Sequence, residues 1–369
     1  MKAKRLFISV MALCCTMVAG AQENEVATAI LQHGEGATVY TGLDALVNAC
    51  AAADNGDVIT LSSGTFNSAN ITKSISVYGA GYEVDANTDT GVTQIVNGSN
   101  GVLRVGVENA TLSGVHLEGL RVECEINLGN IWWNQETTSV EDVVITKCYE
   151  NKHIGIHCNV KDVDISQCVI LGDIGSYNNE QLATNLFVKN CHITGRVCKM
   201  KSGSKVWVDH CIQRGGFYHD SSRDGGALDH SAFRWTNCIF TISSEYYRAV
   251  GIGSTVQNCI CPTIVYCFQV LPGFDVNNSG LIEIAEAGMF EGGVNSEYST
   301  EKTFHIANPT EWIGTDNTEI GINGGIGFNK VPATPVVKDL SATVDGKKLI
   351  VNFQTHVRPV PTTNLEPEP

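Results

Sequence analysis

The chain has 369 residues, with 24 Lys and Arg against 39 Asp and Glu, a formal net charge of -15. That acidic balance argues against nucleic acid and anionic membrane surfaces as partners. The length suits one large repeat-built unit or two ordinary domains.

Lys2, Lys4 and Arg5 form a basic start, Leu6 to Val18 an apolar run, and Ala19-Gly20-Ala21 a small-residue cleavage site. Residues 1–21 therefore read as a signal peptide, which predicts a secreted, periplasmic or cell-surface protein. Leu13 stands before Cys14, where a lipoprotein signal needs a small residue, so lipidation is not expected. No other run approaches the roughly 20 apolar residues of a membrane span. With Cys14 and Cys15 in the leader, twelve of the 14 cysteines remain in a compartment that permits disulfides.

Residues 41–53 predict a helix with Thr41 as its cap, Leu43, Leu46, Val47 and Cys50 on one face, and Asn55-Gly56 as its stop. Alternating apolar residues then begin at Gly56 to Phe66 and recur at Ile71 to Val77 and Ala110 to Val115. From Val143 the alternation ends each time in a cysteine. The segments are Val143–Cys148, Val163–Cys168, Leu186–Cys191, Val206–Cys211, Phe233–Cys238 and Ser254–Cys259, with steps of 20, 23, 20, 27 and 21 residues. A period of two within a repeat this short predicts a coil of brief strands stacked on its neighbours.

The positions five and three before each Cys are expected to face inward, and those four and two before it outward. The cysteines then form an inward ladder of small apolar groups. Asn190, Asn237 and Asn258, with His210 in the same slot, predict a ladder of polar side chains at a turn, the amides pairing with each other and with backbone. Val336 to Val344 and Lys347 to Phe353, joined at Asp345-Gly346, predict a hairpin or the first strands of a sandwich. The Pro-rich tail reads as disordered. The organisation expected is a signal peptide (1–21), a parallel β-helix with an N-terminal cap (22–330), a hairpin (331–357) and a tail (358–369). The fold class expected is all-β, a right-handed single-stranded parallel β-helix with an N-terminal capping helix and a C-terminal β-hairpin.

The repeats, together with Gly56-Asp57-Val58-Ile59-Thr60-Leu61 and Ile75-Ser76-Val77-Tyr78-Gly79-Ala80-Gly81, resemble secreted bacterial proteins of the pectate-lyase-like right-handed β-helix superfamily over about residues 41 to 330. Val206-Trp207-Val208-Asp209-His210 is similar to that family's vWiDH strand. Asp224-Gly225-Gly226-Ala227-Leu228-Asp229 is similar to its DGxLD segment, and Tyr247 to Ser254 to its DKtxLIGS segment. The resemblance implies calcium at Asp209, Asp224 and Asp229, substrate contact by Arg248, and lyase-like chemistry on an acidic polysaccharide. In that chemistry the cation acidifies the proton beside the uronate carboxylate and an Arg removes it. The coil from Cys259 to Phe268, where the family carries that Arg, contains no Arg or Lys.

The register makes a separate argument. Phe187, Lys189, Trp207, Asp209 and Arg234 fall on outward positions of adjacent coils. Aromatic faces beside charged groups on a flat sheet suit a sugar chain, so Phe187, Trp207, Lys189 and Arg234 are candidate substrate-binding residues, to which the resemblance adds Arg248. The long 27-residue step carries His219, Asp220, Arg223, Asp224, Asp229 and His230 near Asp209. A second loop, Gly129 to Glu136, adds Trp132 and Trp133. Two readings remain open: a carbohydrate-active protein using Ca2+, or a non-catalytic adhesive surface protein. A monomer is expected, with a polysaccharide or glycan as partner in the first reading and an unknown ligand in the second.

Overall fold

A computed structural model describes residues 26–34, 36–84, 91–129, 138–175, 181–198, 200–215, 232–241, 254–262, 280–332, 336–345 and 348–356. Its frame is three sheets, and every pairing within them is parallel except at the N-terminal end. The chain visits the sheets in rotation. Val58–Leu61 joins the first sheet, Gly64–Asn67 the second and Asn70–Ile71 the third; Ser76–Tyr78, Thr93–Val96 and Val102–Val105 repeat the circuit. One circuit is here called a coil.

Period-two alternation holds coil after coil. Val143 and Ile145, Val163 and Ile165, Leu186 and Val188, Val206 and Val208, and Phe233 and Trp235 are buried in one core. Inward residues of the second sheet (Val122, Ile170, Ile193, Phe240) and of the third (Leu103, Ile126, Ile154) share it. Four first-sheet strands run longer than the repeat predicts: Thr111–Glu118, Ser139–Thr146, Asn159–Ser166 and Ala183–Lys189. Each holds one left-handed residue, namely Gly114, Asp142, Asp162 and Asn185. That residue skips a pairing position, so Val140 and Val143 both face inward although three residues apart.

The cysteines form the inward ladder expected of them, at a corner whose geometry explains the choice of residue. Lys147, Gln167, Asn190, His210, Asn237 and Asn258, each just before a Cys, are left-handed with φ of 49–55°. Asn tolerates this conformation better than most residues. The ladder of hydrogen bonds reverses there. Gln167 N–H donates to Lys189 O in the next coil, whereas Val169 N–H donates to Cys148 O in the preceding one. Between them Cys168 N–H meets the Sγ of Cys191 at 3.5 Å. The same bond joins Cys148 to Cys168, Cys191 to Cys211, Cys211 to Cys238 and Cys238 to Cys259. Each thiol lies near carbonyls in turn, Cys191 Sγ at 3.2 Å from Lys189 O and 3.5 Å from Ile165 O. All six are buried and free of disulfides, and burial raises the pKa of Cys148, Cys168, Cys191, Cys211 and Cys238 well above the ordinary thiol value.

Three expectations are corrected. The helix spans Ala45–Ala52 and follows Asp44, whose side chain makes no capping bond. Thr41 instead ends the strand Gly36–Thr41, held extended by antiparallel pairing with Thr28. Consequently Leu43 is exposed, and the buried face is Ala45, Leu46, Ala49 and Cys50. The corner side chains do not pair as an amide ladder. Asn190 Nδ2 donates to Ile322 O and Gly324 O, and Gln167 Nε2 to Gly327 O.

Those partners belong to a segment the periodicity did not reveal. After the strand Ile282–Glu283, residues 284–332 carry only two short 3-10 turns and lie against the second sheet. Met289, Phe290, Phe304, Ile306, Ile320 and Ile322 cover its outward Ile212, Ile239 and Ile260. The segment then follows the corner backward. Thr315 meets Asn237, Gly321 and Asp316 meet His210, and Pro332 would be struck by a Cβ on Gly119. Separately, Val336–Asp345 pairs antiparallel with Lys348–His356. No helix among the described residues is long and apolar enough to cross a membrane.

Two buried titratable groups set opposite pH limits. His192 is fully buried, with Nε2 at 2.8 Å from Ser296 O, and burial lowers its pKa to about 4. The unfolded chain protonates it near 6.5, so its contribution is complete above that pH. Roughly 3 kcal/mol is then lost as pH falls toward 4. Glu150 points inward, 1% exposed, with Oε2 unpartnered, and burial raises its pKa well above the ordinary 4.5. Its contribution is complete below the unfolded value and is lost as pH rises through the folded one. Urea midpoints against pH should show His192→Gln flattening the acid limb and Glu150→Gln gaining stability at alkaline pH; two variants with wild-type slopes would contradict this.

Candidate functional site

The first sheet leaves its outer face open where the second is covered. On that face the corner register sets side chains in two rows. Phe187, Trp207 and Arg234 are direct partners on successive strands, as are Lys189, Asp209 and Thr236. Inward Val206 and Val208 fix the strand, and Trp207 between them is left 43% exposed. Half-buried Phe187 lies against it, so the two rings form one apolar patch on this face.

The two rows interlock. The rings of Phe187 and Trp207 lie 5.1 Å apart between centroids, tilted by 42°. Lys189 Nζ sits 4.8 Å from the Phe187 centroid, and the Arg234 guanidinium carbon 5.5 Å from that of Trp207. Lys189 is also paired with Asp164 at 3.0 Å on the preceding strand. Arg234 forms no ion pair among the described residues, so its charge is available to a ligand. The stripe is therefore an aromatic pair with a cation at each end, one neutralised and one not.

Asp209 lies beside this stripe and is partly committed. Its Oδ1 accepts from Thr236 Oγ1 at 2.6 Å and from Asn237 Nδ2 at 3.0 Å. Asn237 continues to Thr315, so Asp209 ties the open face to the covering segment through the corner. Its Oδ2 carries no such bond among the described residues. Among the described residues no three His, Cys, Asp or Glu side chains are grouped as a metal site. Asp224, Asp229 and Arg248 lie outside the described residues, as do His219, Asp220, Arg223 and His230. The Trp132-Trp133 loop lies outside them too.

Chemically, the described part of this face can stack a ring, donate hydrogen bonds from Arg234 and accept a charge there. Two histidines serve structure instead. His210 is buried in the corner, its ring nitrogens 3.2 Å from Gly321 O and Asp316 Oδ2. His192 is the buried contact of Ser296, Tyr298 and Phe304. The docking role of the corner side chains was not anticipated. The available signal was the recurrence of Asn, His and Gln at one left-handed position, with polar groups turned away from the core.

No family model, curated protein or solved structure matches the chain.

Proposed function

We propose that this chain is a secreted glycan-binding protein whose parallel sheets wind as one right-handed β-helix. Rotation through three parallel sheets supports the winding, and the strong right-handed preference of parallel crossovers supports its hand. The helix Ala45–Ala52 serves as its N-terminal cap, burying Leu46 and Cys50 against the first coil. The leader at residues 1–21 carries the protein to the periplasm, the cell surface or the medium, where it acts as a monomer.

The observation that carries the reading is the Phe187–Trp207 pair with Arg234 beside it on an open, flat sheet face. Sugar rings present C–H faces to aromatic rings and hydroxyls to flanking donors, and successive coils repeat at about 4.8 Å, which suits an extended chain. The unpaired Arg234 favours an acidic glycan. A glycan array should return hits enriched in acidic polymers. Trp207→Ala should weaken the best hit by about tenfold, the scale of one lost aromatic contact, with its unfolding midpoint unchanged. Equal binding by wild type and Trp207→Ala would remove the site.

A second reading adds calcium and lyase-like turnover. It rests on Asp209, half-buried beside Trp207 with one carboxylate oxygen still open. In that reading Asp209 supplies one ligand, and Asp224 and Asp229 the others that a hard cation needs. Calcium would then raise the thermal midpoint of the wild type and leave Asp209→Ala unmoved. Absence of any calcium shift, with no unsaturated product from uronic-acid polymers, would leave glycan binding alone.

A further inference from the structure

The aromatic stripe has a counterpart on the same sheet face, nearer the N-terminal end. Val77, Val115 and Leu117 point into the core, which turns Tyr78 and His116 outward on neighbouring strands of the first sheet. Their rings lie 5.1 Å apart between centroids and are tilted by 42°, the same separation and tilt as Phe187 and Trp207. Tyr78 is half-buried, and the His116 side chain is 29% exposed. His116 Nε2 lies 3.1 Å from Glu118 Oε2, which fixes the ring and leaves Nδ1 as an acceptor. The Tyr78 hydroxyl and His116 Nδ1 make no hydrogen bond among the described residues, and neither atom is buried.

His116 stands in line with the stripe. Register partners run His116, Val144, Asp164, Phe187, Trp207, Arg234 over successive strands. At the spacing of paired strands His116 is about 14 Å from Phe187 and about 19 Å from Trp207 along this row. Between the two ring pairs the row carries Val144 and Asp164, short side chains that keep it low. The carboxylates of this stretch are paired with cations. Asp164 lies 3.0 Å from Lys189 Nζ, and buried Glu118 lies 3.3 Å from Lys147 Nζ. An acidic chain laid along the row therefore crosses neutralised ground and reaches Arg234 at its far end.

We propose that Tyr78 and His116 form a second stacking subsite for the glycan held by Phe187 and Trp207, so that the ligand is a linear polysaccharide lying along this row and across the strands. The inference rests on the glycan-binding reading above and adds a length requirement to it. Both ring pairs face the same side of the sheet, in register, at a distance one extended chain bridges. Tyr78 O–H and His116 Nδ1 offer a donor and an acceptor to sugar hydroxyls at one end, as Arg234 offers donors at the other. A short glycan or a branched terminal epitope covers one pair and leaves the other bare.

Calorimetry on the full chain tests this with linear uronic-acid oligosaccharides as the probe, in a length series from disaccharide to decasaccharide. Affinity should rise by about tenfold once the chain spans both pairs, the scale of one added aromatic contact. His116→Ala and Tyr78→Ala should each remove that gain and leave the Trp207-dependent binding of short oligosaccharides unchanged, which also reports an intact fold. Tyr78→Phe, which keeps the ring, should retain most of the gain. Trp207→Ala should weaken every length. No binding of any length would overturn the acidic-glycan reading and this inference with it. Binding that Trp207→Ala weakens but that does not grow with length would overturn this inference alone. So would a length gain that survives in both His116→Ala and Tyr78→Ala.

Discussion

The corner bond from a cysteine N–H to the cysteine sulfur of the next coil is the interaction on which the rest depends. A backbone that turns through a left-handed residue reverses the direction of its hydrogen bonds, and one N–H is left between the two directions. Leaving it unpaired in the core would cost about 1–3 kcal/mol per coil. A thiol is small enough to fit inside the corner, accepts that N–H, and lies against carbonyls of its own coil and the one before. An aliphatic side chain fills the space without accepting. At either end of the cysteine run, Gly119-Leu120 and Gly280-Leu281 take the same two places.

From that corner two surfaces follow. Because each Cys sits above the last, the positions four and two before it stack in straight rows, and Phe187, Trp207 and Arg234 become neighbours although far apart in sequence. The left-handed residue beside the Cys points the other way, outward at the junction of two sheets. There its side chain holds residues 312–332 across successive coils. One sheet is thereby covered and the other left open. The open one carries the aromatic pair, and Asp209 links it through Asn237 to the covering segment.

Much of the repeat was legible because its cause is local. Alternation along Val206-Trp207-Val208-Asp209 states which side chains face out, and the recurrence of a cysteine every 20 to 27 residues states which coils stack. The covering segment was not legible, since residues 284–332 owe their position to outward isoleucines and corner amides contributed by several separate coils. Thr41 misled for a related reason: its capping chemistry is sound, but pairing with Thr28 keeps it in a strand. Of the candidate site, the stripe of Phe187, Lys189, Trp207, Asp209 and Arg234 was readable from register alone. The implied calcium partners Asp224 and Asp229 fall in the 27-residue step, whose sequence carries no such periodicity.

Native-state thiol labelling tests the corner most directly. Folded protein treated with iodoacetamide without reductant, then unfolded and labelled with a second reagent, should carry only the second label at Cys148, Cys168, Cys191, Cys211, Cys238 and Cys259. All six are buried in the core, out of reach of reagent and oxidant, so even an oxidising compartment leaves them as thiols. Disulfide-linked peptides joining any two of them, or first-reagent label on them in the folded state, would contradict the account.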